Sequence, residues 1–247
     1  MYPLFYKWSL KLNLFFFLLS LCFSCGQRET VDNESELNDQ PTQSNTIDLQ
    51  VDSFNIISKN RLSLTENYAQ EHYGQDSYVN DSIKMIVVHY TVIPNLKATL
   101  DYFKPDSIES GRKNIQKFSW LNVGIHYVID QNGDIYNLLP DSIMARHLIG
   151  FNHVSIGIEN VANDSTQLTS AQMDSNVSLI AYLKNRYSSI EYLIGHQEYD
   201  NEELPHYKLM VSKNPNYKPY PKFDPGMQFM DSLRKKLKVD YEIQLQK

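Results

Sequence analysis

Two buried-strand patterns, each ending in a histidine, constrain the fold of this chain more than any other feature. The segments IKMIVVH (83–89) and IEYLIGH (190–196) consist mainly of apolar residues, several of them β-branched, and stop at His89 and His196. Continuous apolar runs of this length are typical of strands that are covered on both faces of a sheet. Since strand ends hold side chains with little freedom, both histidines are candidate ligands of a metal ion.

Helical and strand patterns alternate along the chain. Ser63 to Glu66 form a capping-box pattern, Asn132-Gly133 is a strong hairpin signal, and Pro225 suits the first turn of a helix. In chain order, the sequence predicts a helix over 63–74, a strand at 83–89, a helical or irregular stretch over 95–119, strands at 124–130, 134–139 and 155–161, a helix over 169–187, a strand at 190–195 and a helix over 225–237. We therefore expect an α/β fold in which a central mixed β-sheet is flanked by helices.

The first 25 residues have the pattern of a targeting segment and are not expected to be part of the fold. Lys7 and Lys11 accompany an apolar run, 12–23, that is too short to span a bilayer, and Cys25 follows it. This order resembles a bacterial lipoprotein signal, in which residues 1–24 are removed and lipid is attached to Cys25. An ordinary secretory signal or an uncleaved anchor is the alternative. We expect an exported protein of the cell envelope, anchored to a bacterial membrane by lipid.

Composition separates a polar linker from the folded part. Residues 25–53 hold seven acids, one base and few large apolar side chains, which predicts a disordered acidic linker. The folded domain is then expected over 54–238, with a short tail at 239–247. Residues 54–247 hold 22 acids and 20 bases and no basic stripe, which argues against nucleic acid as a partner. No protein partner is implied, and both cysteines precede the linker's polar run, so the domain would have no disulfide.

Three further residues could complete a metal site with the two histidines. Glu159 closes the strand pattern SIGIE, and Lys222 and Asp224 lie in the run KFDPG. A catalytic zinc ion needs two or three imidazole or carboxylate ligands and one position for water, so Asp224 could be a third ligand and Glu159 a base. Each residue also has a purely structural interpretation. The histidines could be hydrogen-bonded in the core, Asp224 could be a helix N-cap, and Glu159 and Lys222 could face solvent.

The phrases around these residues resemble the type 2 N-acetylmuramoyl-L-alanine amidase family. That family includes bacterial muropeptide amidases, phage lysozyme-type amidases and animal peptidoglycan recognition proteins. The resemblance covers about residues 80–238 and keeps the family's order. The phrases are VVHYT (87–91), WLNVGIHYVIDQNGDIY (120–136), ARHLIGFNHVSIGIENV (145–161), LIGH (193–196) and KFDPG (222–226).

The resemblance implies a mixed sheet flanked by helices, with a substrate groove across one zinc ion per chain. By position, His89 and His196 match the family's two histidine ligands, and Asp224 matches a third ligand that is a cysteine in other branches. Glu159 matches the glutamate that acts as base in the muropeptide amidases, and Lys222 matches the basic residue two positions before the last ligand. The implied reaction is hydrolysis of the amide between N-acetylmuramic acid and the L-alanine of peptidoglycan or muropeptides.

The resemblance also suggests residues that contact substrate. Four of them lie in a loop where the family contacts glycan or stem peptide, and a structural role is the equal alternative for each: Arg146, His147, Asn152 and His153. His126 is as compatible with packing as with function. The segment 197–221, with tyrosines at 199, 207, 217 and 220 and with His206, could be a binding wall or a surface excursion.

One position departs from the phage enzymes of the family, which carry a tyrosine where this chain has Ile125. The loss of a proton-transfer partner would make the chain depend more on Glu159. The main competing function is a non-catalytic surface lipoprotein that binds peptidoglycan, and a third is an adhesin that uses the fold as a scaffold. Relatives that only bind typically lack a ligand or a catalytic partner. All five residues are present here, which favours a zinc amidase.

Overall fold

The computed structural model describes residues 49–80 and 82–247. The predicted signal peptide 1–24, the lipidation site Cys25 and the linker up to residue 48 lie outside these residues. Within them, no helix is long and apolar enough to cross a membrane. The strands are β1 (Asp52–Ser53), β2 (Met85–Tyr90), β3 (Tyr127–Ile129), β4 (Ile135–Asn137), β5 (Ser155–Asn160) and β6 (Tyr192–Gly195). The helices are α1 (Lys59–Tyr73), α2 (Leu96–Phe103), α3 (Lys113–Gln116), α4 (Ser170–Arg186) and α5 (Met227–Tyr241).

The six strands form one mixed sheet in the order β1-β4-β3-β5-β2-β6. Strand β2 lies between β5 and β6 and is parallel to both, β3 is parallel to β5, and β3 and β4 form the predicted antiparallel hairpin. The expected mixed sheet flanked by helices is confirmed. In the β2–β5 register His89 is opposite Glu159, so the two side chains lie side by side on one face of the sheet.

The two faces of the sheet are covered differently. Ile86 and Val88 of β2 belong to a core that includes Ile180 of α4 and Leu233 of α5. The alternate residues of β2, which include Met85 and His89, point to the other face, where loops and α2 cover the sheet. By the same alternation, Glu159 of β5 and His196 after β6 lie with His89 on the face of the sheet opposite α4 and α5.

Residues 49–53, which the sequence assigns to the linker, are part of the folded domain. Asp52 and Ser53 pair with Tyr136 and Asn137 of β4, and Leu49 and Val51 pack against the helix-side core. The predicted boundary between linker and domain at residue 54 is therefore wrong for residues 49–53. These residues were assigned to the linker by composition, but backbone pairing with β4 adds a strand that does not depend on their polar side chains.

The ends of the first and last helices also differ from the prediction. Helix α1 begins at Lys59, because Ser58 rather than Ser63 is its N-cap and accepts a hydrogen bond from the backbone N–H of Arg61. Helix α5 starts after Pro225, and the Asp224–Pro225 peptide bond is cis. The predicted tail 239–247 belongs to the domain: α5 continues to Tyr241, and two later apolar residues pack against the core, Ile243 and Leu245.

Candidate active site

Three ligand atoms converge at one edge of the sheet. Nδ1 of His89 lies 2.9 Å from Nδ1 of His196, which lies 2.9 Å from Oδ2 of Asp224. The third side of the triangle, from His89 Nδ1 to Asp224 Oδ2, is 3.3 Å. Ligand atoms about 2.1 Å from a tetrahedral zinc ion lie roughly 3.4 Å apart, so the triangle fits a zinc ion after small adjustments. The structure thus brings together the three residues that the sequence predicts as ligands.

Each ligand is positioned by a different part of the chain. His89 ends the central strand β2, and His196 follows β6 as the first residue of a short 3-10 turn, His196–Glu198. Asp224 comes from the loop before α5, and its carbonyl accepts a hydrogen bond of 2.9 Å from the N–H of Gln197. The N-cap of α5 is Gly226, so the alternative interpretation of Asp224 as an N-cap is excluded.

Buried charges hold the turn that carries His196. The carboxylate of Glu198 accepts a hydrogen bond of 2.8 Å from the N–H of Gly195 and pairs with the guanidinium of Arg234 on α5. Arg234 also donates to the carbonyl of Leu193 at 3.0 Å. The peptide groups on both sides of Ile194 in β6 are therefore fixed to α5.

The surroundings set the charges of the ligands. Burial lowers the pKa of His196 to about 4, helped by the neighbouring His89 and opposed by the Asp224 carboxylate. For Asp224, burial would raise the pKa, but the neighbouring imidazoles of His196 and His89 outweigh it and hold the pKa well below its ordinary value. At neutral pH the cluster therefore offers an uncharged imidazole and a carboxylate, the forms in which these side chains bind a metal.

Glu159 lies beside the ligand cluster, where the register with His89 places it. Its Oε2 atom is buried and has no hydrogen-bond partner among the described residues. Burial, together with the negative charge of Asp224, raises the pKa of Glu159 well above its ordinary value, while Lys222 opposes the shift. A carboxyl group with a raised pKa and a free oxygen atom can both accept a proton and return it.

Lys222 is held at the wall of the same site by an aromatic side chain. Its Nζ donates a hydrogen bond of 2.8 Å to the hydroxyl of Tyr220 and lies 4.1 Å from the centre of that ring. The hydroxyl of Tyr199 bridges to the backbone of Tyr220, at 2.7 Å to its N–H and 2.8 Å to its carbonyl. The position of Lys222 thus depends on two tyrosines of the segment that follows His196.

A cavity of about 340 Å³ opens over these residues. The segment 197–221 contributes one of its walls through Tyr199, Tyr217 and Tyr220, and other wall residues include Val92 and Ile115. Four other polar lining residues were not singled out as candidates from the sequence: Tyr90, Thr91, Tyr102 and Arg112. Tyr90 and Thr91 directly follow His89 and could have been inferred from the end of the strand. No phrase around the other two marks them.

The structure places only two of the four predicted substrate-contact residues at the cavity. Arg146 and His147 line the cavity, whereas Asn152 and His153 lie outside its lining. Arg146 is buried and donates to the carbonyls of Ile115, Ser119 and Leu121 at 2.6 to 3.2 Å, so its main contacts are structural.

Asn152 is fully buried, and both ends of its amide are bonded within the protein. Its Oδ1 accepts from the N–H groups of His147 and Leu148, and its Nδ2 donates to the hydroxyl of Tyr68. His153 stacks on the ring of Tyr73 at a centroid distance of 4.5 Å. Neither residue is placed to contact a substrate in the cavity, because their partners in the fold determine their positions.

Two other histidines are packed rather than placed at the metal site. His126 bonds to the carbonyl of Ile143 through Nε2 and accepts from the N–H of Gly157 through Nδ1, both at 3.0 Å. His206 is buried beside Phe151 and bonds to the carbonyl of Tyr199. Contacts within the fold thus hold both rings, although Nδ1 of His206 has no hydrogen-bond partner among the described residues.

The model of the N-acetylmuramoyl-L-alanine amidase family, Amidase_2, matches residues 79–207. The match spans more than half of the 247 residues, and this chain belongs to that family. It includes His89, Glu159 and His196 and ends before Lys222 and Asp224, which the sequence predicts from the KFDPG run and the structure places beside the other three.

Individual relatives include phage and animal proteins. The endolysin of Klebsiella phage KP32 is 27% identical over 119 residues, which are 46% of this chain and 76% of the endolysin. The peptidoglycan-recognition protein SC2 of Drosophila simulans is 30% identical over 101 residues, 38% of this chain and 55% of that protein. The chain therefore spans only about half of the second relative's length. A solved structure, the N-acetylmuramoyl-L-alanine amidase LysC from Clostridium intestinale URNW, is 24% identical with a TM-score of 0.48, and the match covers 76% of this chain and 97% of LysC.

Proposed function

We propose that this protein is a zinc-dependent amidase that hydrolyses the bond between N-acetylmuramic acid and L-alanine in peptidoglycan or muropeptides. The observation that carries the proposal is the convergence of His89, His196 and Asp224 beside Glu159, whose Oε2 has no hydrogen-bond partner in the described part of the chain. Membership in the amidase family supports the choice of bond. The two imidazoles and the carboxylate would hold the metal and leave a position for water on the cavity side.

The proton transfers of this reaction fall to Glu159. A zinc ion at this site would lower the pKa of its bound water toward about 7 and polarise the amide carbonyl. Glu159 would take the proton from the attacking water and return it to the leaving amine. Ile125 is fully buried and has no proton to exchange, so the tyrosine of the phage enzymes has no substitute at that position.

Lys222 is proposed to stabilise the negative charge that develops on the carbonyl oxygen. Its ammonium group lies in the cavity wall, and its hydrogen bond to Tyr220 fixes its direction before substrate arrives. A preorganised donor of this kind acts where charge develops in the transition state, at no cost for reorientation. The ring of Tyr220, whose centre lies 4.1 Å from the ammonium nitrogen, stabilises its positive charge.

The activity is tested with full-length protein and purified peptidoglycan, with and without a chelator. The expected products are stem peptides with a free L-alanine amino group, read by mass spectrometry, and they should disappear on chelation and return with added zinc. The matched variant Glu159→Gln should retain zinc and yield no product. If zinc is bound but neither polymer nor soluble fragments are cleaved, the protein is a peptidoglycan-binding module and the proposal is wrong.

A lipid anchor is proposed on sequence grounds, from the apolar run 12–23 and the cysteine that follows it. The protein would then act from a bacterial membrane in the cell envelope. Labelling cells with radioactive palmitate tests the anchor, and the expected label should be lost in Cys25→Ala. Cys22→Ala, which changes the other cysteine of the chain, is the control and should keep the label. Undiminished label in Cys25→Ala would contradict the anchor.

A further inference from the structure

A chain of hydrogen bonds runs from the metal ligand His89 into the protein. Nε2 of His89 lies 3.1 Å from Nδ1 of His147. Nε2 of His147 lies 3.2 Å from the hydroxyl of Ser155, and that hydroxyl donates to the carbonyl of Phe151 at 2.9 Å. The chain thus joins the nitrogen of His89 that faces away from the ligand cluster to a backbone carbonyl.

The carbonyl at its end fixes the direction of every bond in this chain. The single proton of the Ser155 hydroxyl goes to Phe151, so the hydroxyl must accept from Nε2 of His147. A neutral imidazole carries one proton, so Nδ1 of His147 is an acceptor and Nε2 of His89 must donate to it. This leaves Nδ1 of His89 without a proton, and Nδ1 is the atom that faces His196 and Asp224.

The fold makes room for the ring of His147 at a glycine. Gly157 lies on β5 between Ser155 and Glu159, on the same face of the sheet. A Cβ atom at Gly157 would lie 2.8 Å from Nδ1 of His147 and would also collide with Ile125. Asn152 holds the backbone N–H of His147 at 3.0 Å, so both the ring and the main chain of His147 are fixed.

We propose that His147 is a positioning residue that sets the tautomer and orientation of His89, with Ser155 and Phe151 completing the chain. This inference rests on the proposed function, because it assumes that His89 binds a metal through Nδ1. It assigns His147 a role behind the metal ligand, in place of the substrate contact that the sequence suggested. Ligating histidines commonly donate their second N–H in this way, and loss of the acceptor typically weakens metal binding about 10–100-fold.

The test compares two variants of the full-length protein, His147→Leu and His147→Asn. Leucine fills the space but accepts no hydrogen bond, whereas the Oδ1 atom of asparagine occupies nearly the place of Nδ1 in histidine. Zinc affinity is measured by competition with a chromophoric chelator. We expect His147→Leu to bind zinc about 10–100-fold more weakly than the wild type and His147→Asn to recover most of that loss.

Unfolding of both metal-free variants in urea separates positioning from a merely structural role. Wild-type affinity in His147→Leu, or an equal loss in both variants that follows their loss of stability, would overturn the inference. Either result would leave the amidase proposal standing, whereas a wild-type protein that binds no zinc would refute that proposal first. A second readout is the ¹⁵N spectrum of the zinc-loaded protein, where Nε2 of His89 should carry the proton. A proton on Nδ1 would contradict the inference.

Discussion

The two histidine ligands are held by different means, although each follows from the end of a strand. His89 is fixed through its imidazole, whose far nitrogen bonds to His147. His196 is fixed through its backbone, because Glu198 and Arg234 clamp the turn that carries it. Among the described residues, Nε2 of His196 has no hydrogen-bond partner. His89 is therefore held by hydrogen bonds between neutral side chains, and His196 is held by an ion pair between its turn and α5.

Because the two histidines are held differently, the metal site can be disturbed in two ways. A change behind His89 should alter how the imidazole presents its lone pair while the fold persists. A change behind His196 should loosen β6 and α5 together, because the same ion pair joins them. Zinc affinity and folding stability should therefore respond separately on the two sides of the cluster.

Removal of a ligand should have the largest effect and should be the same on both sides. His89→Ala, His196→Ala and Asp224→Ala are each expected to lose zinc and to lower the rate of peptidoglycan cleavage by about 1,000-fold or more, since the metal activates the water. Metal content is read by mass spectrometry of the protein solution alongside the cleavage rate. His153→Ala removes a histidine outside the cluster and serves as the control. Full activity in any of the three ligand variants would remove that residue from the site.

The base should matter next, and without loss of the metal. Glu159→Gln keeps the shape of the side chain but cannot take a proton, so cleavage should fall about 100- to 10,000-fold while zinc content stays at the wild-type level. The pair of measurements distinguishes a catalytic group from a ligand. A near wild-type rate in this variant would show that the base lies elsewhere.

Breaking the ion pair behind His196 should mainly cost stability. Glu198→Ala leaves the guanidinium of Arg234 with only the exposed carboxylate of Asp231, 3.5 Å away, as a charged partner among the described residues, and the free energy of unfolding should fall by about 3 kcal/mol. The control is Glu191→Ala, which removes a largely exposed pair with Lys84 and should cost less than about 1 kcal/mol. Both are measured by urea unfolding of the metal-free protein. Equal losses of unfolding free energy in Glu198→Ala and Glu191→Ala would contradict the role of the Glu198–Arg234 pair in holding the turn of His196.

Acid should lower the free energy of unfolding through His126, which accepts a hydrogen bond from the N–H of Gly157 near His147. Burial lowers the pKa of His126 to about 4, against about 6.5 in the unfolded chain. The unfolded chain therefore takes up a proton first, and stability is complete above about pH 6.5 and lost as the pH falls toward 4. This histidine should account for about 2 kcal/mol of the loss in unfolding free energy between pH 7 and pH 5. His126→Gln, measured metal-free in urea, should show that much less pH dependence, and an unchanged slope would exclude His126 as the cause.

The strand residues of the site were largely predictable from sequence, whereas the residues that hold them in place were not. Apolar runs that end at His89 and Glu159 specify strands, and parallel pairing in register brings their ends together. The partner of His89, however, lies 58 residues away in a loop without periodicity. Asn152 likewise has the signature of an exposed loop residue, and only Tyr68, 84 residues away, makes it part of the core.

The start of α1 shows the same limit at a single helix end. Ser58 and Ser63 are both acceptable N-caps by local sequence. The structure uses Ser58, whose hydroxyl also donates to Asp106 at 2.6 Å, 48 residues away. A contact over that distance has no local signal, so the choice between the two serines depends on the tertiary fold.

The most direct test of the zinc site is a titration of metal-free, full-length protein with zinc while peptidoglycan cleavage is followed. If His89, His196 and Asp224 form one catalytic site, the rate should rise from near zero and level off at one equivalent of zinc per chain. Cleavage that is as fast in the metal-free protein, or that shows no break at one equivalent, would contradict a single zinc site as the centre of this reaction.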